Sequence, residues 1–148
     1  MLHFISLLLL QYCKKDEFSR LSRNASLGVH GYVLVFSIAS RQSFEMIDQV
    51  NDALLNTLGD APDVPRVLVG SMKDLDTTNE GNGGDSSSRQ VSYDDAKSLA
   101  ESWGNVPYIE CSSKTGENVA DVFHTLLKEI EKDDGLLAES GEGGCLIL

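Results

Sequence analysis

Two short stretches of this chain place side chains suited to reading a nucleobase directly after apolar runs. In the first, Val67-Leu68-Val69 leads into Gly70-Ser71-Met72-Lys73-Asp74; in the second, the run ending at Glu110 leads into Cys111-Ser112-Ser113-Lys114-Thr115-Gly116. A carboxylate that accepts two parallel N–H bonds matches guanine, which presents N1–H beside an exocyclic amine, and does not match adenine. Asp74 is placed for that reading. In the second stretch, a backbone N–H near Ser113 is placed to donate to guanine O6 while the Lys114 stem lies along the ring. An isolated Asp after a strand is ordinarily a turn or cap residue. Two such loops, one helix apart, weigh against that blander interpretation. The companion pattern for phosphates, G-x-x-x-x-G-K-[ST], occurs nowhere in the 148 residues, so the sequence offers base recognition without the phosphate nest, the lysine or the magnesium hydroxyl.

The elements that must carry these loops follow from periodicity. Residues 31–39 form a continuous β-branched and aromatic run, expected mid-sheet with both faces covered. Ser40 can cap a helix in which Phe44, Ile47, Val50, Leu54, Leu55 and Leu58 recur at helical spacing until Gly59 and Pro62. Residues 64–70 read as a second strand. Residues 77–88 are almost wholly Thr, Asn, Glu, Gly, Asp and Ser, and read as a mobile surface loop. Ser92, with Asp95 three residues on, opens a helix through Trp103 in a capping-box-like arrangement. Residues 106–111 make a third strand. Residues 118–132 make a last amphipathic helix through Val119, Val122, Phe123, Leu126, Leu127 and Ile130. The expected fold is α/β: a partial doubly wound, mostly parallel sheet with three recognisable strands and flanking helices, its ligand at the carboxyl ends of the strands.

Composition bounds the partners. One domain is expected from 148 residues, and a net charge of −11 argues against a nucleic-acid partner and against electrostatic docking on an anionic leaflet. Cys13, Cys111 and Cys145 lie far apart with no C-x-x-C spacing, which argues against a zinc site or a disulfide framework and for a reducing compartment. Cys111 reads as an inert thiol inside a strand. His3, His30 and His124 show no ligand spacing, and Asp94-Asp95 and Asp133-Asp134 read as a helix start and a solvated tail. No catalytic or metal-binding side chain is assigned. The apolar stretch 1–12 lacks a basic leader and a small-residue cleavage site and is too short to span a bilayer. It reads as unrelated upstream sequence, with a buried strand at the sheet edge as the alternative. A secreted or membrane-inserted protein led by it ranks last.

Residues 16–134 resemble the back two-thirds of a Ras-superfamily small GTPase, and within it the Rheb subfamily. The resemblance rests on Asp16-Glu17-Phe18-Ser19, residues 31–38, Ser43-Phe44-Glu45, Leu99-Ala100-Glu101-Ser102-Trp103 and Asp121-Val122-Phe123. It implies a small GTPase fold of the P-loop NTPase type, GTP or GDP with Mg2+ as cofactor, a switch role in TOR growth-control signalling, and the TOR kinase complex among the effectors. It also implies a base site made of Ser71, Met72, Asp74, Ser112, Ser113 and Lys114. The family's Asn-Lys-x-Asp motif aligns with Ser71, Met72, Lys73 and Asp74, so only the acid is kept. Lys14-Lys15 stand where the family has Gly and the water-orienting Gln. The expected domains are 1–15, an unrelated apolar segment; 16–134, the GTPase portion; and 135–148, a flexible tail. GTP binding and hydrolysis are expected to be impaired in this truncated form. The alternative is a nucleotide-free pseudo-GTPase fragment acting as a prenylated binding module, or a non-functional fragment. Cys145-Leu146-Ile147-Leu148 fits a prenylation box whose final Leu favours geranylgeranylation. A single lipid implies reversible attachment to the cytoplasmic face of endomembranes or plasma membrane, with a cytosolic pool.

Overall fold

A computed structural model describes residues 7–11, 29–59, 64–76 and 88–133. Among the described residues four strands, β1 (Leu7–Gln11), β2 (Gly31–Ser37), β3 (Arg66–Ser71) and β4 (Tyr108–Glu110), form one parallel sheet in the order β1-β2-β3-β4. Three helices follow the last three strands: α1 (Arg41–Leu58), α2 (Tyr93–Ser102) and α3 (Val119–Asp133). The α/β class, the parallel sheet and the flanking helices match the expectation, with one strand more than the three read from sequence. That strand, β1, lies in the segment set apart as 1–15 and pairs Leu7 with Gly31 through Gln11 with Val35. The remainder of that segment, most of the loop expected at 77–88, and the tail at 135–148 with Cys145 lie outside the described residues.

Strand alternation sorts the core into two faces. Tyr32, Leu34 and Phe36 of β2 and Leu68 of β3 pack with Phe44, Ile47, Val50 and Leu54 of α1 and with Ala96 and Ala100 of α2. Val33, Val35, Val67 and Val69 face the other way and are covered by Val122, Leu126 and Ile130 of α3. An all-apolar β2 is thus explained by helices on both sides, as the continuous run predicts. The helices begin where short hydroxyl side chains can take the first orphan donors. Ser40 Oγ accepts from Ser43 N at 3.2 Å, and Ser92 Oγ accepts from Asp95 N at 3.0 Å. α1 stops at Gly59, whose φ of 79° lies in the left-handed region that glycine adopts without strain. The two helices of one face are tied by Trp103 Nε1 donating to Asp48 at 2.8 Å and Arg41 pairing with Asp95 at 3.1 Å.

β3 and β4 are offset slightly from the sequence expectation, beginning at Arg66 and Tyr108 rather than at 64 and 106. The reason is polar: Pro65 and Pro107 have no N–H to give a ladder, and their carbonyls accept from Tyr32 N and Leu68 N at 2.9 Å each, starting the pairing one residue later. Gly70 is the packing constraint near the site. A methyl group there would lie 2.6 Å from the Tyr108 hydroxyl and 2.9 Å from Ile38 Cγ2. Gly70→Ala is therefore expected to cost about 1–3 kcal/mol through overpacking, seen as a lower urea midpoint with an unchanged m-value.

Candidate functional site

β2, β3 and β4 are parallel, so their carboxyl ends share one rim, and Ser37 pairs with Ser71 while Gly70 pairs with Glu110. The two predicted loops leave this rim side by side. After β3 the chain turns at Met72, whose φ of 64° and ψ of 36° are left-handed, and then winds through a single 3-10 turn, Lys73–Leu75. A non-glycine residue in that region costs on the order of 1 kcal/mol, offset here by the contacts the turn permits. Lys73 N donates to Cys111 O at 3.1 Å, and the Lys73 ammonium pairs with Glu117. After β4, the second loop closes on itself through Ser112 N to Glu117 O at 3.0 Å and Gly116 N to Ser112 O at 2.9 Å. Asn118, also left-handed with a φ of 57°, donates from its side chain to Glu110 O at 2.8 Å.

Asp74 and Ser112 are brought into direct contact: Ser112 Oγ, fully buried, donates to Asp74 Oδ1 at 2.6 Å. The other carboxylate oxygen, Oδ2, lies 3.9 Å from Lys114 Nζ, and the Lys114 side chain is 79% exposed. A pair that open to water is weak and yields readily to a ligand donor. Ser113 is exposed beside it. Met72, 48% exposed, borders the same rim from the β3 side, its sulfur accepting from Ser37 Oγ at 3.2 Å. Ser71 is drawn elsewhere: its hydroxyl donates to Phe36 O at 2.8 Å, binding β3 to β2. Of the six predicted residues, then, Asp74, Ser112, Ser113 and Lys114 share one loop pair, Met72 edges it, and Ser71 serves the sheet. Among the described residues, Asp74 is thus held by Ser112 on one oxygen and faces the solvated Lys114 ammonium with the other. Among the described residues no group of three His, Cys, Asp or Glu side chains is placed to hold a metal ion.

Cys111 departs from expectation. It lies one residue beyond β4, half-buried, and its N–H donates to Gly70 O at 2.8 Å. Burial pushes its thiol above the ordinary value, so at pH 8 it is mostly protonated and slow to alkylate. His124 is exposed on α3.

Beneath the loops sits a polar cluster that the sequence reading passed over. Arg89 donates to Asp76 Oδ2 from Nε at 2.9 Å and from Nη2 at 2.7 Å, and to Glu110 from Nη1 at 2.9 Å and from Nη2 at 2.7 Å. Its Nη1 also donates to Val91 O at 2.9 Å. The hydrogen bonds to Glu110 chiefly raise the guanidinium pKa further, against the opposing effect of burial, with Asp76 adding to the rise. Tyr108 Oη donates to Glu110 Oε1 at 2.7 Å, and its ring stacks 6.1 Å from Phe36 and tilts 5.2 Å from Tyr93. A sequence signal did exist: in a three-residue strand, Tyr108 and Glu110 share a face, and an acid on a face that meets Leu68 and Gly70 needs a buried cation.

The Tyr108 hydroxyl is held above its ordinary value of 10.0, first by burial and then by the Glu110 carboxylate. A raised folded-state value means stability that is complete below pH 10 and lost as pH climbs beyond it. Tyr108→Phe should thus lower stability at pH 7 by about 1–3 kcal/mol and flatten the alkaline loss above about pH 10, measured by urea unfolding at both pH values; buried Tyr32, also raised, leaves a residual slope.

Residues 4–132 match the model of the Ras family, a match that begins within the apolar N-terminal segment. The chain is 40% identical over 134 residues to a GTP-binding protein Rheb homolog of Dictyostelium discoideum. It is 37% identical to the small monomeric GTPase RhbA of Aspergillus fumigatus and 36% identical to the GTP-binding protein Rheb of Homo sapiens over the same length. In each case 90% of this chain is covered, and it spans 66% of the relative's length.

Proposed function

This chain belongs to the Ras family, and from that premise we propose that it is a Rheb-like guanine-nucleotide-binding protein whose base-reading half is built from Asp74, Ser112, Ser113 and Lys114. The observation that carries the reading is the 2.6 Å bond from Ser112 to Asp74, which joins the two loops and fixes one carboxylate oxygen. Asp74 would accept the paired N–H groups of guanine; a backbone N–H near Ser113 would donate to O6; the Lys114 stem and Met72 would cover the ring. The bound nucleotide with Mg2+ would supply the phosphate charge that a switch protein reads.

Affinity is proposed to be weakened. The aligned amide position is Ser71, whose hydroxyl is engaged with Phe36 O, and Met72 brings no charge. Each lost base contact costs about 1–3 kcal/mol. Hydrolysis is proposed to be impaired as well, because Lys14-Lys15 stand at the water-orienting position. A second reading, a nucleotide-free binding module, is favoured by those same substitutions. Under either reading Cys145 is the proposed lipid attachment, with reversible association with endomembranes or plasma membrane and a cytosolic pool. The TOR kinase complex is the proposed effector.

Titration of the purified chain with a fluorescent GDP analogue and Mg2+, with GDP and ATP as competitors, tests the first reading. Guanine-selective binding in about the micromolar-to-millimolar range is expected, and Asp74→Asn should weaken it about 10- to 100-fold. No binding up to millimolar nucleotide favours the binding module. For the lipid, incubation with a geranylgeranyl donor and transferase should label the wild-type chain and leave Cys145→Ser unlabelled in solution.

A further inference from the structure

The two base-reading loops bond to each other directly, and each is also anchored two residues from its reading group onto one side chain that belongs to neither. Asp76 follows Asp74 by two residues, and Glu110 precedes Ser112 by two. Both carboxylates are gripped by the Arg89 guanidinium at 2.7 Å, and the side chains of Arg89, Asp76 and Glu110 are 15%, 15% and 6% exposed. Val91 O accepts a further bond from the same fork, which fixes the plane of the guanidinium relative to the start of α2.

From this we infer that Arg89 is the positioning residue of the base site, setting the separation of the Asp74 loop from the Ser112–Lys114 loop; the inference rests on the base-site reading above. The physics runs through charge and shape. With Arg89 in place, two carboxylates on neighbouring strands share one cation, and the loops above them close to the Ser112–Asp74 and Lys73–Cys111 bonds. Without it, Asp76 and Glu110 are like charges facing each other in a largely desolvated space, and the relief available to them is to spread the loop bases apart. A lysine supplies the charge as a point and lacks the planar fork that serves both carboxylates and a carbonyl together. Arg89 bonds Asp76, Glu110 and Val91, none of which is a proposed base-contact residue. Its effect on the base is transmitted through Asp76 and Glu110.

The test compares wild type, Arg89→Lys, Arg89→Gln and the Arg89→Gln/Glu110→Gln double variant by residue-resolved amide exchange and by GDP-against-ADP competition. In Arg89→Gln, the Lys73 amide, which bonds Cys111 O, should exchange about tenfold faster, while Val35 in the sheet interior changes by less than about twofold. Arg89→Lys should fall between, and the double variant should recover part of the Lys73 protection because one of the two facing charges is gone. Guanine selectivity should drop in the same order. If Arg89→Gln does not fold, Arg89→Lys and the double variant carry the comparison. Unchanged Lys73 exchange, or equal acceleration at Lys73 and Val35, overturns the assignment of Arg89. A wild-type chain that binds no GDP overturns the base-site reading alone, since the exchange measurements need no nucleotide.

Discussion

The burial of β2 on both faces is the constraint from which the remainder follows. Six consecutive residues, Gly31 to Phe36, are buried, and they alternate between a core shared with α1 and α2 and a core shared with α3. Such a strand tolerates no slip in register, because a shift of one residue would send Tyr32, Leu34 and Phe36 into the space occupied by valines. Gly31 sharpens the constraint, since Leu126 and Ile130 of α3 approach to within 2.9 Å of where its Cβ would stand. With β2 fixed, β3 is placed by six paired positions and β4 by three more. The carboxyl ends of the strands therefore arrive at one rim without any side chain at that rim having to bring them there.

What the rim adds is polar organisation. The glycine at 70 leaves room for the Tyr108 hydroxyl, Tyr108 donates to Glu110, and Glu110 holds Arg89. A packing choice in the sheet and an ionic choice above it are thus one arrangement. This explains how an acid as well buried as Glu110, at 7% exposure, is tolerated in a short strand: its carboxylate accepts from Arg89 Nη1, Arg89 Nη2 and Tyr108 Oη, and its backbone carbonyl accepts from Asn118.

The fold was legible wherever periodicity and caps agree. Ser40, Gly59 and Ser92 mark helix boundaries by chemistry that acts within four residues, and Phe44, Ile47, Val50 and Leu54 announce a buried stripe. β1 was harder to read, because an apolar run such as Leu7 to Leu10 looks the same as a strand, a leader or a stray segment until a partner strand is seen. The site was legible in its local part: Asp74 and Ser112 to Lys114 lie in recognisable strand-to-loop transitions. Arg89 was not, since it stands 15 residues beyond Asp74 and 21 before Glu110, and only tertiary closure makes it a neighbour of both. Nor could sequence show that Ser71 bonds Phe36 O, which depends on the register of β2 against β3.

The Arg89–Asp76 pair also governs a matter remote from nucleotides. The residues between Asp76 and Arg89 begin and end on partners joined at 2.7 Å, so the segment is sealed at its base by groups that belong to the folded domain. Holding two chain ends together costs entropy that grows slowly with the length between them, about 0.6 kcal/mol for each doubling, so a clasp of this kind keeps its grip across a wide range of lengths. The ion pair thus brings the two ends of the stretch together from within the folded domain, leaving the sheet's own pairing to β2, β3 and β4.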